Sequence, residues 1–217
     1  MKTRDRILLK SLELFNGEGE RSVTTNHIAA ALNISPGNLY YHFRSKEDII
    51  YEIFLMYERQ MLASLSVPAD RVITYTDKIG YFESIFNSLW DYRFLHRDLG
   101  HLLEESPRLR ASYRQFTRRV MAQAFVIYNA LRQAELINAS EQDVKAMIVN
   151  IWILTTNWAS FVVSSGFFGE EVALNQSLLR RGIYQIICLE APYLQGEAVL
   201  KLPELLKQYG EEATQTV

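Results

Sequence analysis

The sequence predicts an all-α protein, with a small helix-turn-helix unit at the N-terminus and a larger helical domain after it. Three observations carry this expectation. The 217 residues include only five prolines and ten glycines, so helix breakers are few. Apolar residues recur at three- and four-residue intervals over long stretches, and no segment reads as a convincing strand, repeat or low-complexity linker. Residues 24–46, TTNHIAAALNISPGNLYYHFRSK, hold two short helical patterns separated by a three-residue turn.

Composition bounds the rest. Hydrophobic residues make up 48% and charged residues 22%, which suits a soluble globule and argues against disorder. The single cysteine, Cys188, excludes a disulfide framework and a cysteine-cluster zinc site. A net charge of −2 excludes a uniformly basic nucleic-acid coat, but the charge is split. Residues 1–46 carry seven Lys/Arg against four acids, which leaves the remainder acidic by five. The N-terminal part therefore attracts anions and the rest repels them. The opening MKTRDRILLKSLELF mixes charges with apolar residues where a secretory leader has an apolar block, and the expected compartment is the cytoplasm. Residues Ala146–Gly169 form an uncharged run of 24, long enough to span a bilayer. Seven polar residues within it favour a soluble helix covered on most sides, with no membrane partner.

The elements follow in order. Ile7, Ser11 and Phe15 share a stripe on a first helix, which Asn16-Gly17-Glu18-Gly19 ends. Thr24 or Thr25 caps a second helix to about Leu32, with Ile28, Ala29 and Leu32 facing inward. Asn33-Ile34-Ser35 is the turn; Asn33 stands where glycine is common and tolerates positive φ. Ser35-Pro36 starts a third helix, a hydroxyl cap followed by the fixed φ of proline, ending near Phe43. Ser45 with Asp48 resembles a capping box and opens a fourth helix to about Leu65. Further helices are expected near 70–91, 93–104, 107–135, 141–165, 171–191 and 203–212, with a frayed tail at Ala213–Val217.

The third helix has the makings of a recognition helix, whose leading residues meet base edges in the major groove. Pro36 and Gly37 are small enough for close approach. Asn38 can make a bidentate pair, for which adenine is the usual partner. Tyr40 suits a thymine methyl or a phosphate; Tyr41, His42 and Lys46 offer donors to the backbone. Thr25 and Ser35, each at a helix start, sit where free N–H groups and the helix dipole favour phosphate. Taken as plain structure, Phe43 is a core aromatic and Lys46 a solvated cation. His27, His96 and His101 are isolated, so neither a metal nor another cofactor is expected. Around Ser106-Pro107 and His96–His101 there are charged groups but no nucleophile or phosphate loop, and the chain is not read as an enzyme.

At Thr25, Ile28-Ala29, Ile34-Ser35, Gly37–Phe43 and Ser45-Lys46-Glu47 the sequence resembles the TetR/AcrR family of bacterial transcriptional regulators. The likeness covers roughly residues 3–60; beyond it, FLHRDLGHLLEESPRLRASY is similar to the sixth-to-seventh helix region of some members. The resemblance implies a DNA-binding domain at 1–46 (motif 24–43) and a helical effector-binding and dimerisation domain at 47–217. It implies a homodimeric repressor on a palindromic DNA operator, released by a small-molecule effector; the aromatic richness of this chain points to an apolar or aromatic compound, although ordinary cores are similarly rich. It also implies an effector cavity among the later helices, with Phe86, Trp90, Phe94, Trp152, Asn157 and Phe161 as candidate lining residues. Helices 141–165 and 171–191 are the expected dimer interface. Read from the residues alone, the stripe Phe82, Phe86, Trp90 is equally an ordinary core, Asn150 and Asn157 are amides buried in an apolar helix, and Cys188 is a small buried apolar residue. The competing function is an α-helical small-molecule carrier or enzyme with a structural N-terminal unit.

Overall fold

The structure, a computed structural model, describes residues 1–214, with side chains to residue 210. Among the described residues eleven α-helices run in order: α1 Thr3–Glu18, α2 Thr25–Ala31, α3 Pro36–His42, α4 Lys46–Ser64, α5 Tyr75–Asp91, α6 Arg93–Arg97, α7 Leu99–Glu105, α8 Pro107–Gln133, α9 Glu141–Ser164, α10 Gln176–Glu190 and α11 Glu197–Thr214. The described residues contain no strand, only an isolated bridge between Ile137 and Leu194. Of the tail expected to fray, residues 215–217 lie outside the described residues, and the backbone is helical to Thr214.

Several helix ends differ from the sequence expectation, each for a local reason. The helix expected from residue 70 begins at Tyr75 because Thr74 and Asp77 cap each other reciprocally, at 2.8 and 3.2 Å, and Arg71 clasps the same carboxylate. Asp98 interrupts the expected 93–104 helix, leaving α6 and α7. The helix expected from 171 waits for Asn175, whose side chain accepts from Leu178 N at 2.9 Å. The last helix starts early, after Gly196 at φ +57°, and takes Pro203 into its second turn.

The chain packs as two compact units. The first comprises Met1–Gln60 and Asp91–Phe116. Ile7, Ser11 and Phe15 are buried, as their spacing predicts, and Phe15 meets Phe94 at 5.1 Å. Asn16 does more than end a helix. Its amide donates to Asp91 O at 2.7 Å and its carbonyl accepts from Phe94 N at 3.1 Å, while Arg97 donates to Phe15 O at 2.8 Å. An aromatic group of Phe54, Tyr57, Tyr92, Tyr113 and Phe116 completes this core. His96 joins it through Tyr57 Oη at 3.1 Å, and burial pushes its pKa down to about 4.

The second unit comprises Met61–Trp90 and the chain from Thr117 onward. Its core is built from Phe82, Phe86 and Leu89 of α5, Leu131 of α8, Val144 and Met147 of α9, and Leu179, Ile183, Ile186 and Ile187 of α10. Gly182 is needed for packing: a Cβ there would lie 2.6 Å from Phe86 and 2.9 Å from Trp158. Lys78 and Glu190, both enclosed, form an ion pair that Tyr128 also joins through its hydroxyl. The Lys78 ammonium lies 5.0 Å from the Tyr75 ring centroid and 5.4 Å from that of Tyr128. Burial lowers the Lys78 pKa, and Glu190 opposes that shift.

The expectation that the uncharged helix is covered on most sides is corrected. Within its most apolar window α9 is 33% buried, and Val149, Ile153, Phe161 and Val163 are exposed. By length and composition alone it is also the one helix among the described residues that is apolar enough to cross a membrane. Asn150 and Asn157 lie on exposed positions as well, and Asn157 donates to Ile153 O at 2.8 Å in its own helix. Cys188 is exposed because it falls on the side of α10 away from Ile183, Ile186 and Ile187.

Candidate nucleic-acid interface

The geometry between α2 and α3 follows from a few residues. Thr24 caps α2 by accepting from His27 N at 3.2 Å. Asn33 takes φ +54°, the left-handed conformation that its short amide tolerates, and Ile34 N returns to Ala29 O at 3.0 Å. Ala29 is buried at the crossing, so the two helices approach without a side chain between them. Ser35 then caps α3 by accepting from Asn38 N at 3.1 Å, and Pro36 occupies the first turn. Leu39 and Phe43 are buried and seat α3 on its neighbours. Arg4 stacks 5.0 Å over the Phe43 ring and pairs with Glu52 at 2.8 Å, which ties the end of α3 between α1 and α4.

This seating turns the opposite side of α3 outward. Ser35, Pro36, Gly37 and Asn38 are exposed, Tyr40 is 48% exposed and Tyr41 is 84% exposed. His42 is half-buried, with its ring edge-on to Tyr41 at 5.1 Å. Beyond that contact with His42, most of the Tyr41 surface is open to meet another molecule. Thr25 and Tyr40 are brought together, their hydroxyls 2.9 Å apart, so the starts of α2 and of the outward face of α3 form one polar edge. Arg44, which sequence reasoning passed over, is an exposed cation in the short link after α3.

Lys46 departs from expectation. Instead of standing free, its ammonium donates to Glu20 Oε1 at 2.7 Å and to Glu20 O at 3.1 Å. Glu20, an acid just before the motif in a segment of positive surplus, was not read as part of the site; it opens a single 3-10 turn, Glu20–Ser22, and no local pattern marks a glutamate there as buried.

The six effector candidates are not gathered into one place. Phe86 is core, against the Gly182 position. Phe94 belongs to the first unit, packed on Phe15. Trp90 and Trp152 are half-buried and Asn157 is exposed. Phe161 lines a cavity of about 340 Å³ with Trp158, Phe167, Phe168, Arg181, Tyr184 and Gln185. Trp158 and Phe161 stack at 5.5 Å, Phe168 stands edge-on to both, and the Arg181 guanidinium lies 4.5 Å over Phe168. The spacing rule that selected Phe86 and Trp90 reports a helix face, and on α5 that face is packed. Among the described residues no group of three or more His, Cys, Asp or Glu could hold a metal ion.

An all-helical chain with a capped helix-turn-helix and an outward-facing recognition helix defines a helical DNA-binding regulator. The profile described as bacterial regulatory proteins of the tetR family matches residues 7–53, and that of the TetR bacterial transcriptional repressor matches residues 56–202. This chain belongs to the TetR family. Among solved structures it is similar to a TetR-family transcriptional regulator from Marinobacter aquaeolei VT8, with a TM-score of 0.87 and 50% identity over 96% of this chain and 99% of that one. It is 28% identical over 118 residues to the HTH-type transcriptional regulator TcmR of Streptomyces glaucescens, a match that spans 52% of each chain. It is 39% identical over 70 residues to the HTH-type transcriptional regulator UidR of Escherichia coli, spanning 32% of this chain and 36% of that one. The chain thus spans about half the length of the first curated relative and about a third of the second. Proteins of the family are transcriptional regulators and not enzymes, which sets aside the carrier or enzyme reading; they bind DNA operators and small-molecule effectors, typically as dimers.

Proposed function

We propose that this chain is a cytoplasmic, homodimeric repressor that binds a palindromic operator through α3 and leaves it when a small molecule binds. The observation that carries the reading is the two-sidedness of α3: Leu39 is sealed inward while Asn38, Tyr40 and Tyr41 face out. In this reading residues 1–46 read DNA and residues 47–217 sense the effector and dimerise. Asn38 contacts a base edge. Tyr40 contacts a thymine methyl or a phosphate, Tyr41 and His42 contact the DNA backbone, Thr25 and Ser35 offer hydroxyls to phosphate, and the small Pro36 and Gly37 permit close approach.

Two copies are needed because a palindrome presents two half-sites about 34–36 Å apart. The exposed apolar residues Val149, Ile153 and Val163 of α9 support a dimer interface on α9 and α10. The cavity at Phe161, lined by five aromatic side chains, supports an apolar or aromatic effector. Release requires that the effector prefer the conformation with the wrong spacing of recognition helices; tight binding to both conformations releases nothing.

A mobility-shift assay on fragments of the source genome tests the reading. Retarded fragments that are freed by an aromatic compound, but not by salt-matched buffer, support it. A chain that retards no fragment at low salt contradicts it.

A further inference from the structure

We infer that Glu20 is a positioning residue for DNA binding: its buried carboxylate is an internal counter-ion that holds Lys46 back from phosphate and so restrains affinity for the DNA backbone. The inference rests on the DNA reading above.

Lys46 opens α4 directly after the recognition helix, where a cation would be expected to serve the DNA backbone. Its ammonium has three N–H donors. Two of its contacts go to one residue, Glu20 Oε1 at 2.7 Å and Glu20 O at 3.1 Å. The Glu20 side chain is 5% exposed and that of Lys46 is 24% exposed. The second oxygen, Oε2, is buried with no hydrogen-bond partner. Glu20 and Lys46 line a small polar cavity of about 120 Å³ together with Glu47, His101 and Glu105. Two further carboxylates there raise the cost of leaving Glu20 charged and alone. A phosphate that draws Lys46 outward must therefore outcompete a carboxylate that has little access to water. Two of the three Lys46 donors are engaged before DNA arrives, and its charge adds little to the attraction.

The test compares the parent, Glu20→Gln, Lys46→Met and the double variant by fluorescence anisotropy on a mixed-sequence duplex three helical turns long. Phosphate contacts carry no sequence information, so no operator is required. Across about 50–200 mM salt, Glu20→Gln is expected to bind about three- to tenfold tighter, with a log–log salt slope steeper by about 0.9. In the Lys46→Met background, Glu20→Gln is expected to change neither. Lys46→Met alone should cost less than about twofold, which keeps the inference testable even if Glu20→Gln does not fold. Unchanged or weaker binding by folded Glu20→Gln, or a loss of about tenfold with a shallower slope in Lys46→Met, overturns it. The same gain in the Lys46→Met background also overturns it. A merely structural Glu20 would shift the melting temperature without steepening the slope. If the parent itself shows no salt-dependent affinity for the duplex, the DNA reading fails, and the inference with it.

Discussion

Helices α3 and α9 were specified by different kinds of information. The seven residues of α3 sit where nearest neighbours put them: Ser35 caps, Pro36 starts, Asn33 turns and Leu39 anchors. The first three roles act within about five residues, and the fourth needs only the one inward side chain that seats the helix on its neighbours. The 24 residues of α9 have an equally good local beginning, the Ser140–Asp143 capping box, yet which side of the helix is covered depends on packing far along the chain. A short helix with strong punctuation can be oriented from its sequence. A long uncharged helix can only be located, because absence of charge is shared by a core helix, a membrane span and an interface.

The largest expected effect lies in the second unit and away from any local pattern. Lys78→Met, which strands the enclosed Glu190, should destabilise the chain by about 3–5 kcal/mol. Replacing both Lys78 and Glu190 with apolar residues of similar size should recover much of that loss. Urea unfolding of the single and double variants checks both outcomes. If the single variant lost no more than a surface substitution, nonlocal pairs would not be what specifies this unit.

In the first unit His96 provides a pH test. Its folded pKa, near 4, lies below the unfolded value of about 6.5. The unfolded chain therefore binds the proton first as pH falls, and stability is full above about 6.5 and is lost between there and about 4. The loss should be at most about 1.4 kcal/mol per pH unit, and His96→Gln should flatten the dependence in chemical denaturation series.

Asn38→Ala should relax base preference by about 1–3 kcal/mol without changing stability, read as the ratio of affinities for the best site and a mixed-sequence duplex. Ser35→Ala should cost about 1 kcal/mol in stability, measured by thermal unfolding. A loss well below the usual range for an N-cap would mean that tertiary contacts, more than the cap, hold α3.

The same contrast explains which parts of the site were legible. The outward set of α3 could be read because burial of Leu39 and Phe43 fixes, by helical geometry, what faces away. Asn33 was readable because few residues tolerate its φ of +54°. The Lys46–Glu20 pair was not, since it joins residues 26 positions apart that no periodicity relates. Phe86 and Phe94 share aromatic character with Phe161, but only their neighbours, Gly182 for the first and Phe15 for the second, decide that they are core. Asn150, Asn157 and Cys188 were misplaced for one reason: an apolar sequence environment was taken for a buried one.

The claim on which the account turns is that the exposed face of α3 reads DNA. Selection of bound duplexes from a random library, run in parallel for the parent and Asn38→Ala, tests it most directly. The account predicts that the parent enriches a palindrome with half-site centres about one helical turn, or a multiple of it, apart, and that Asn38→Ala loses preference at defined positions of each half-site. No enriched sequence, or the same sequence enriched equally by both proteins, would contradict it.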